Sequence, residues 1–147
     1  MLKIDFGSGY NPKIGYCTCD ITTSPFLDFV SHDNKIYNRK GEIKSNSVDT
    51  IHCRNVLHHI KDLDNLLNNF YKYLKQDGTL EIIDCSKDFF YKNVILDIFW
   101  YKWFDGGKRN IWFSKNYRNI SDIVNNAGFH IIEHKYVDEK EIIICKK

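Results

Sequence analysis

No stretch of the sequence approaches the roughly 20 consecutive apolar residues that a membrane-spanning helix requires. The most apolar run, residues 94–104, is short and is interrupted by Asp97 and Lys102, so no membrane partner is expected. Charge of one sign is not in excess either. The formal net charge is +2, far from the strongly basic face that nucleic-acid binders present. Disulfide spacing is also lacking. The five cysteines, Cys17, Cys19, Cys53, Cys85 and Cys145, are odd in number and follow no framework, which favours a reduced, cytoplasmic setting. The start, MLKIDFGSG, is too short and too acidic at Asp5 to read as a signal peptide. No repeat, linker or low-complexity tract divides the chain, and its 147 residues predict a single domain over 1–147.

What is present is ordinary in amount and informative in order. At 43% hydrophobic and 27% charged the composition is that of a soluble globular protein. Short apolar runs alternate with helical patterns, the mark of an α/β domain with a mainly parallel sheet. Strands are predicted at residues 2–5, 15–20, 26–32, 48–53 and 79–84. Between the last two, Leu63, Leu66, Leu67, Phe70, Tyr71 and Leu74 recur at three- and four-residue steps, the stripe of an amphipathic helix. Gly78 is its expected terminator. A second helix runs toward Asn126, capped by Ser114 or Ser121 and closed by Gly128. Residues 129–137 and 141–145 flank a turn at Asp138-Glu139-Lys140 and predict an antiparallel hairpin.

Three local motifs, in this order, resemble those of the class I S-adenosylmethionine-dependent methyltransferases. DFGSG at residues 5–9 is similar to that family's acidic glycine turn after strand one, where the backbone must bend tightly and approach a ligand. CTCDI at residues 17–21 ends strand two in Asp20, placed to accept hydrogen bonds from both ribose hydroxyls. NSVDTIHCRNVLHHIKD at residues 46–62 resembles the run across the family's strand four, and His32-Asp33-Asn34 the adenine-contacting segment after strand three. The similarity covers residues 1–85 well. It departs between the glycine turn and strand two, where residues 10–14 replace the usual first helix. A compact subgroup acting on sugars and natural products has a similar arrangement, which Asn11-Pro12 fits.

The resemblance implies a three-layer α/β sandwich with a mostly parallel seven-stranded sheet whose last strand is reversed. It implies S-adenosyl-L-methionine as cofactor, bound by Asp5, Gly7, Ser8, Gly9, Asp20, Ile21, Asp33, Asn34 and Asn55. It also places His58 and His59 beside the transferred methyl, where histidine is the usual base near neutral pH. Each residue has a plainer reading as well. The glycines make a tight turn in any fold, Asp33-Asn34 is turn chemistry, and His59 suits a helix cap. Cys17, Cys19, His52, Cys53, His58 and His59 lie close in number, yet nothing supplies paired zinc spacing, so no metal is expected and the cysteines read as buried strand residues.

Aromatic residues crowd residues 89–117, and in the family the segment after strand five commonly carries substrate specificity. Residues 86–118 are therefore the expected substrate-facing segment, with Trp100, Trp103, Lys108, Arg109 and Trp112 able to hold an anionic or planar small molecule; core packing and a solvated basic face are the alternatives. The function implied is methyl transfer to a small-molecule acceptor, at oxygen on the strength of the His-His pair and the compact loop. Two rivals stand beside it: a non-catalytic methyltransferase-like binding or partner protein, and an NAD(P)-dependent oxidoreductase. The latter wants a third glycine where this chain has Pro12. Nucleic-acid methylation has only the cluster near Lys108 in its favour.

Overall fold

The computed structural model describes residues 1–21, 25–86 and 120–147. In order along the described residues come strand β1 (Lys3–Phe6), β2 (Cys17–Asp20), β3 (Phe29–His32), β4 (Lys35–Asn38), β5 (Gly41–Glu42) and β6 (Val48–Arg54). A 3-10 turn at Leu57–His59 leads into helix α1 (Leu63–Tyr73), and β7 (Leu74–Cys85) follows at once. Helix α2 (Ile120–Asn126) precedes the terminal strands β8 (His130–Val137) and β9 (Lys140–Lys146).

These strands form one sheet in the order β5-β4-β3-β2-β1-β6-β7-β9-β8. Strands β3, β2, β1, β6 and β7 run parallel, while β9 is antiparallel to both β7 and β8. The α/β architecture and reversed final strand are thus as expected, but the seven-stranded sheet is not: among the described residues the sheet has nine strands. The two additional strands, β4 and β5, are antiparallel and extend the sheet beyond β3. The turn that creates them is at Asp33 and Asn34, whose φ angles of 49° and 62° are both left-handed, the two-residue pattern that matches strand twist in a hairpin. The same geometry recurs at Asp138 and Glu139, between β8 and β9.

Alternation along the strands sorts the sheet into two faces. Ile4, Phe6, Ile51, Cys53, Leu80 and Ile82 are buried in one core with Leu63, Leu66, Leu67 and Phe70 of α1 and with Ile120 and Val124 of α2. Phe6 meets Phe70 edge to face at 4.9 Å. Asp62 caps α1 by accepting a hydrogen bond from Asn65 N at 3.1 Å, a contact of the kind worth about 1 kcal/mol. Gly78 does not terminate this helix. The chain leaves it at Leu74 in extended conformation, and the left-handed residue nearby is Asp77, at φ 61°. Both described helices pack into the same core, so the three-layer arrangement is not seen among the described residues. There the opposite face, which carries Asp5, His52 and Glu81 side by side, is covered by the loop at residues 10–16. Among these residues no helix is long and apolar enough to cross a membrane.

Candidate active site

The order of the strands puts β1 between β2 and β6, so the connections from β1 and β6 leave the carboxyl edge of the sheet toward opposite sides. Such a switch point is where open α/β sheets take ligands. The turn after β1 is held there by its own backbone: Gly7 N and Ser8 N both donate to Cys19 O, at 2.8 and 3.1 Å. Gly7 has φ 72°, and a Cβ on it would collide with the Val56 side chain. Its glycine is therefore required by packing. Gly9, at φ 52°, is different, since no atom of the described residues lies within 4 Å of where its Cβ would stand.

Asp20 closes this turn from the neighbouring strand. Its Oδ2 accepts from Gly9 N at 2.9 Å and its Oδ1 from Ile21 N at 2.7 Å. Asp5, buried at the foot of the turn, accepts from Lys13 N at 2.7 Å. Ser8 supplies the polar atom that asks for a ligand: its hydroxyl is buried and has no hydrogen-bond partner among the described residues. A buried hydroxyl without a partner costs about 1–3 kcal/mol. A turn with one exposed glycine Cα, one unsatisfied hydroxyl and one carboxylate fits a ligand carrying a polar amino-acid end and a ribose. Ile21 and Asn55 lie exposed at the same edge, Asn55 in left-handed conformation with its N–H donated to Ile83 O at 2.9 Å. Asp33 and Asn34 are also at a strand end, but they form the β3–β4 turn, and Asn34 O accepts from Asn69 Nδ2 at 3.1 Å.

His58 and His59 sit on the 3-10 turn after β6, their ring centroids 3.9 Å apart. They are not equivalent. His59 is exposed, whereas His58 is buried with its Nδ1 2.5 Å from Asp84 Oδ1, at the end of β7. The same carboxylate accepts from Cys85 N at 2.8 Å and from Leu57 N at 3.0 Å. Burial works to raise the Asp84 pKa, but the His58 bond and charge and the two backbone donors outweigh it and leave it lowered. An ionised carboxylate only accepts, so Nδ1 of His58 is the donor in this bond. Asp84 is the functional candidate that sequence reading missed; its signal was an acid ending strand five at the same carboxyl edge.

Cys85 brings its sulfur into a group with His58 and Asp84 whose donor atoms lie within 4.8 Å of one another. The three hydrogen bonds to Asp84 account for that carboxylate as one half of an acid–imidazole pair. Away from that group, Cys19, Cys53 and Cys145 are poor ligands as they stand. Burial pushes the thiols of Cys19 and Cys53 well up and that of Cys145 to about 12, and the thiolate is the form that binds metal. Trp100, Trp103, Lys108, Arg109 and Trp112 lie outside the described residues.

The sequence pattern of the family described as "Methyltransferase domain" matches residues 4–134. No protein of curated function matches the chain in sequence. Among solved structures it is similar to the trans-methyltransferase CalH, in complex with S-adenosylhomocysteine, at TM-score 0.67 and 14% identity over 99% of this chain and 51% of that one. It is similar to the CurJ carbon methyltransferase at TM-score 0.69 and 15% identity, over 99% and 48%. A methyltransferase of Aquifex aeolicus gives TM-score 0.65 and 16% identity, over 99% and 81%. The chain thus spans about half the length of the first two. With the family pattern running through nearly all of it, the chain belongs to the methyltransferase domain family.

Proposed function

We propose that this protein transfers a methyl group from S-adenosylmethionine to the oxygen of a small-molecule acceptor, with His58 as the base. The observation that carries the reading is the His58–Asp84 pair, set two residues beyond Val56, the side chain against which the glycine turn is packed. Cofactor turn and candidate base are thereby parts of one edge.

In this reading Ser8 and Gly9 meet the amino-acid end of the cofactor and Asp20 its ribose, while Asp33, Asn34, Ile21 and Asn55 line the nucleoside side. S-adenosylmethionine, when bound, supplies a methyl group already activated on a sulfonium. The protein's contribution is mostly alignment, together with removal of the acceptor's proton. His58 takes that proton on Nε2, and the imidazolium so formed is stabilised by Asp84 across the bond to Nδ1. His59, exposed on the same turn, is the lesser candidate. The acceptor is held by the aromatic segment at residues 86–118, through Trp100, Trp103, Trp112, Lys108 and Arg109.

Calorimetric titration tests the cofactor half directly. S-adenosylmethionine and S-adenosylhomocysteine should both bind, and nicotinamide dinucleotides should not. Tight binding of a dinucleotide without either adenosyl compound would overturn the reading. Release of S-adenosylhomocysteine in an acceptor screen tests the transfer itself.

A further inference from the structure

The loop at residues 10–16 stands where a first helix is expected, and it cannot hold itself in place by apolar burial. Tyr10 and Ile14 are fully exposed, and Pro12 and Gly15 suit no helix interior. A loop of this kind samples many conformations unless polar contacts hold it, and fixing each residue costs about 1–2 kcal/mol in backbone entropy. The tethers all lie on the sheet face opposite α1. Arg54 Nη2 donates to Asn11 O at 2.5 Å, and Lys13 N to Asp5. Lys13 Nζ then reaches across β1 and β6 to Glu81 Oε2 on β7, at 2.6 Å. His52 Nδ1 braces the same Glu81 oxygen at 3.1 Å, and the ring of Tyr16 lies 4.4 Å from the ammonium. Both partners of the ion pair are partly buried, with 35% and 27% of their side chains exposed, so it is screened less than a surface pair.

We propose that Lys13 and Glu81 are positioning residues for the cofactor: their ion pair straps loop 10–16 across the sheet and so keeps Gly9 on Asp20 in the binding geometry. The inference rests on the cofactor reading above. Lys13 is tied to the sheet twice, by its backbone N–H to Asp5 and by its ammonium to Glu81. Asp5 is only two residues before Gly7, so a displacement of Lys13 is passed to both ends of the turn. When the strap is cut, a fraction of molecules leaves the competent conformation, and apparent affinity falls by that fraction.

The test measures S-adenosylhomocysteine binding by calorimetry and amide exchange of residues 7–9 in the ligand-free protein. Lys13→Met and Glu81→Gln should each weaken binding by about tenfold, as loss of nine-tenths of the competent population requires. The double variant should be no weaker than the worse single one, since both cut one strap. Lys13→Arg should restore affinity, and exchange at Gly9 should accelerate in both neutral variants and not in Lys13→Arg. Unchanged affinity and exchange in folded Lys13→Met and Glu81→Gln would overturn the proposal, as would a lowered melting temperature with both readouts unmoved. Should a neutral variant fail to fold, the swap Lys13→Glu with Glu81→Lys keeps the pair, and its failure to restore Gly9 protection counts against the strap. Absence of binding by the wild-type chain would instead overturn the cofactor reading, and the exchange data alone would then decide whether the strap holds the turn.

Discussion

Nδ1 of His58 lies 2.5 Å from Oδ1 of Asp84, and the two residues are 26 positions apart in the chain. The pair fixes which ring nitrogen is basic. Asp84→Asn removes the charge that stabilises an imidazolium and offers an amide that can set the wrong tautomer. Turnover is expected to fall by about 10²–10⁴-fold, the range for loss of an effective general base, and His58→Gln should fall similarly. His59→Gln should lose far less. Cofactor affinity should barely change in any of them. Rates with an identified acceptor, beside calorimetric affinities, check this, and a near-normal rate for His58→Gln would leave alignment as the sole source of catalysis.

Asp20 offers a second measurement. Its carboxylate accepts backbone N–H groups from Gly9 and Ile21 and is the candidate ribose ligand. Asp20→Ala should weaken S-adenosylmethionine by about 1–3 kcal/mol, the order for losing hydrogen bonds to a charged group, while the chain stays folded. Calorimetry on a variant shown to be folded by circular dichroism decides it, and unchanged affinity would remove Asp20 from the site.

The two glycines of the turn should behave differently, although sequence alone gives them the same role. Gly7→Val drives a side chain into Val56 and is expected to lower stability, by about 1–3 kcal/mol if the core can shift. The smaller Gly7→Ala should be partly rescued by Val56→Ala. Gly9→Val meets no described neighbour and carries only the left-handed backbone cost of about 1–2 kcal/mol, yet it should abolish cofactor binding. Thermal melts and calorimetry on the same variants separate the two effects.

Acid should destabilise the protein in a defined window. Tyr73, Lys72 and Lys35 donate to Glu42 and pull its pKa from 4.5 to about 2. His52, foremost, and Lys13 do the same for Glu81 against the opposing effect of burial, also to about 2. Both folded values lie below the unfolded ones, so this stabilisation is complete above about pH 4.5 and is lost as pH falls through about 2. Denaturant unfolding should show this contribution level from pH 7 to about 4.5 and falling from there to about pH 2. In Glu81→Gln the slope should flatten, and an unaltered slope would mean that Glu81 is not held ionised by its neighbours.

Much of the fold could be read in advance because its signals are local. The stripe from Leu63 to Phe70 and the apolar run of β6 each report on a face that must be buried, and DFGSG announces a turn. The hairpin β4–β5 escaped because its strands are short and polar, with Ile36 the only residue of the two fully buried. The turn that leads into it from β3, at Asp33-Asn34, has the same composition as a ligand-contacting segment. Of the candidate site residues, Gly7, Gly9 and Asp20 could be seen to belong to one turn because each ends a strand or makes the bend after it. The site was not legible where partners meet only through the sheet. Asp84 has no local mark that ties it to His58, and Lys13 and Glu81 become neighbours only once β1, β6 and β7 are aligned.

The central place of β1 has a kinetic side. Ile4 pairs with Cys17 on one flank and with Ile51 on the other, so β1 must wait for synthesis of β6 before its second edge is satisfied. The hairpins at Asp33-Asn34 and Asp138-Glu139 need no such delay, because each closes over two residues. Distant parallel pairing is entropically slow to nucleate, whereas local pairing is fast. A nascent chain of this protein therefore carries a half-paired β1 for the whole interval between synthesis of β2 and of β6, and that interval is its period of greatest exposure to misassembly.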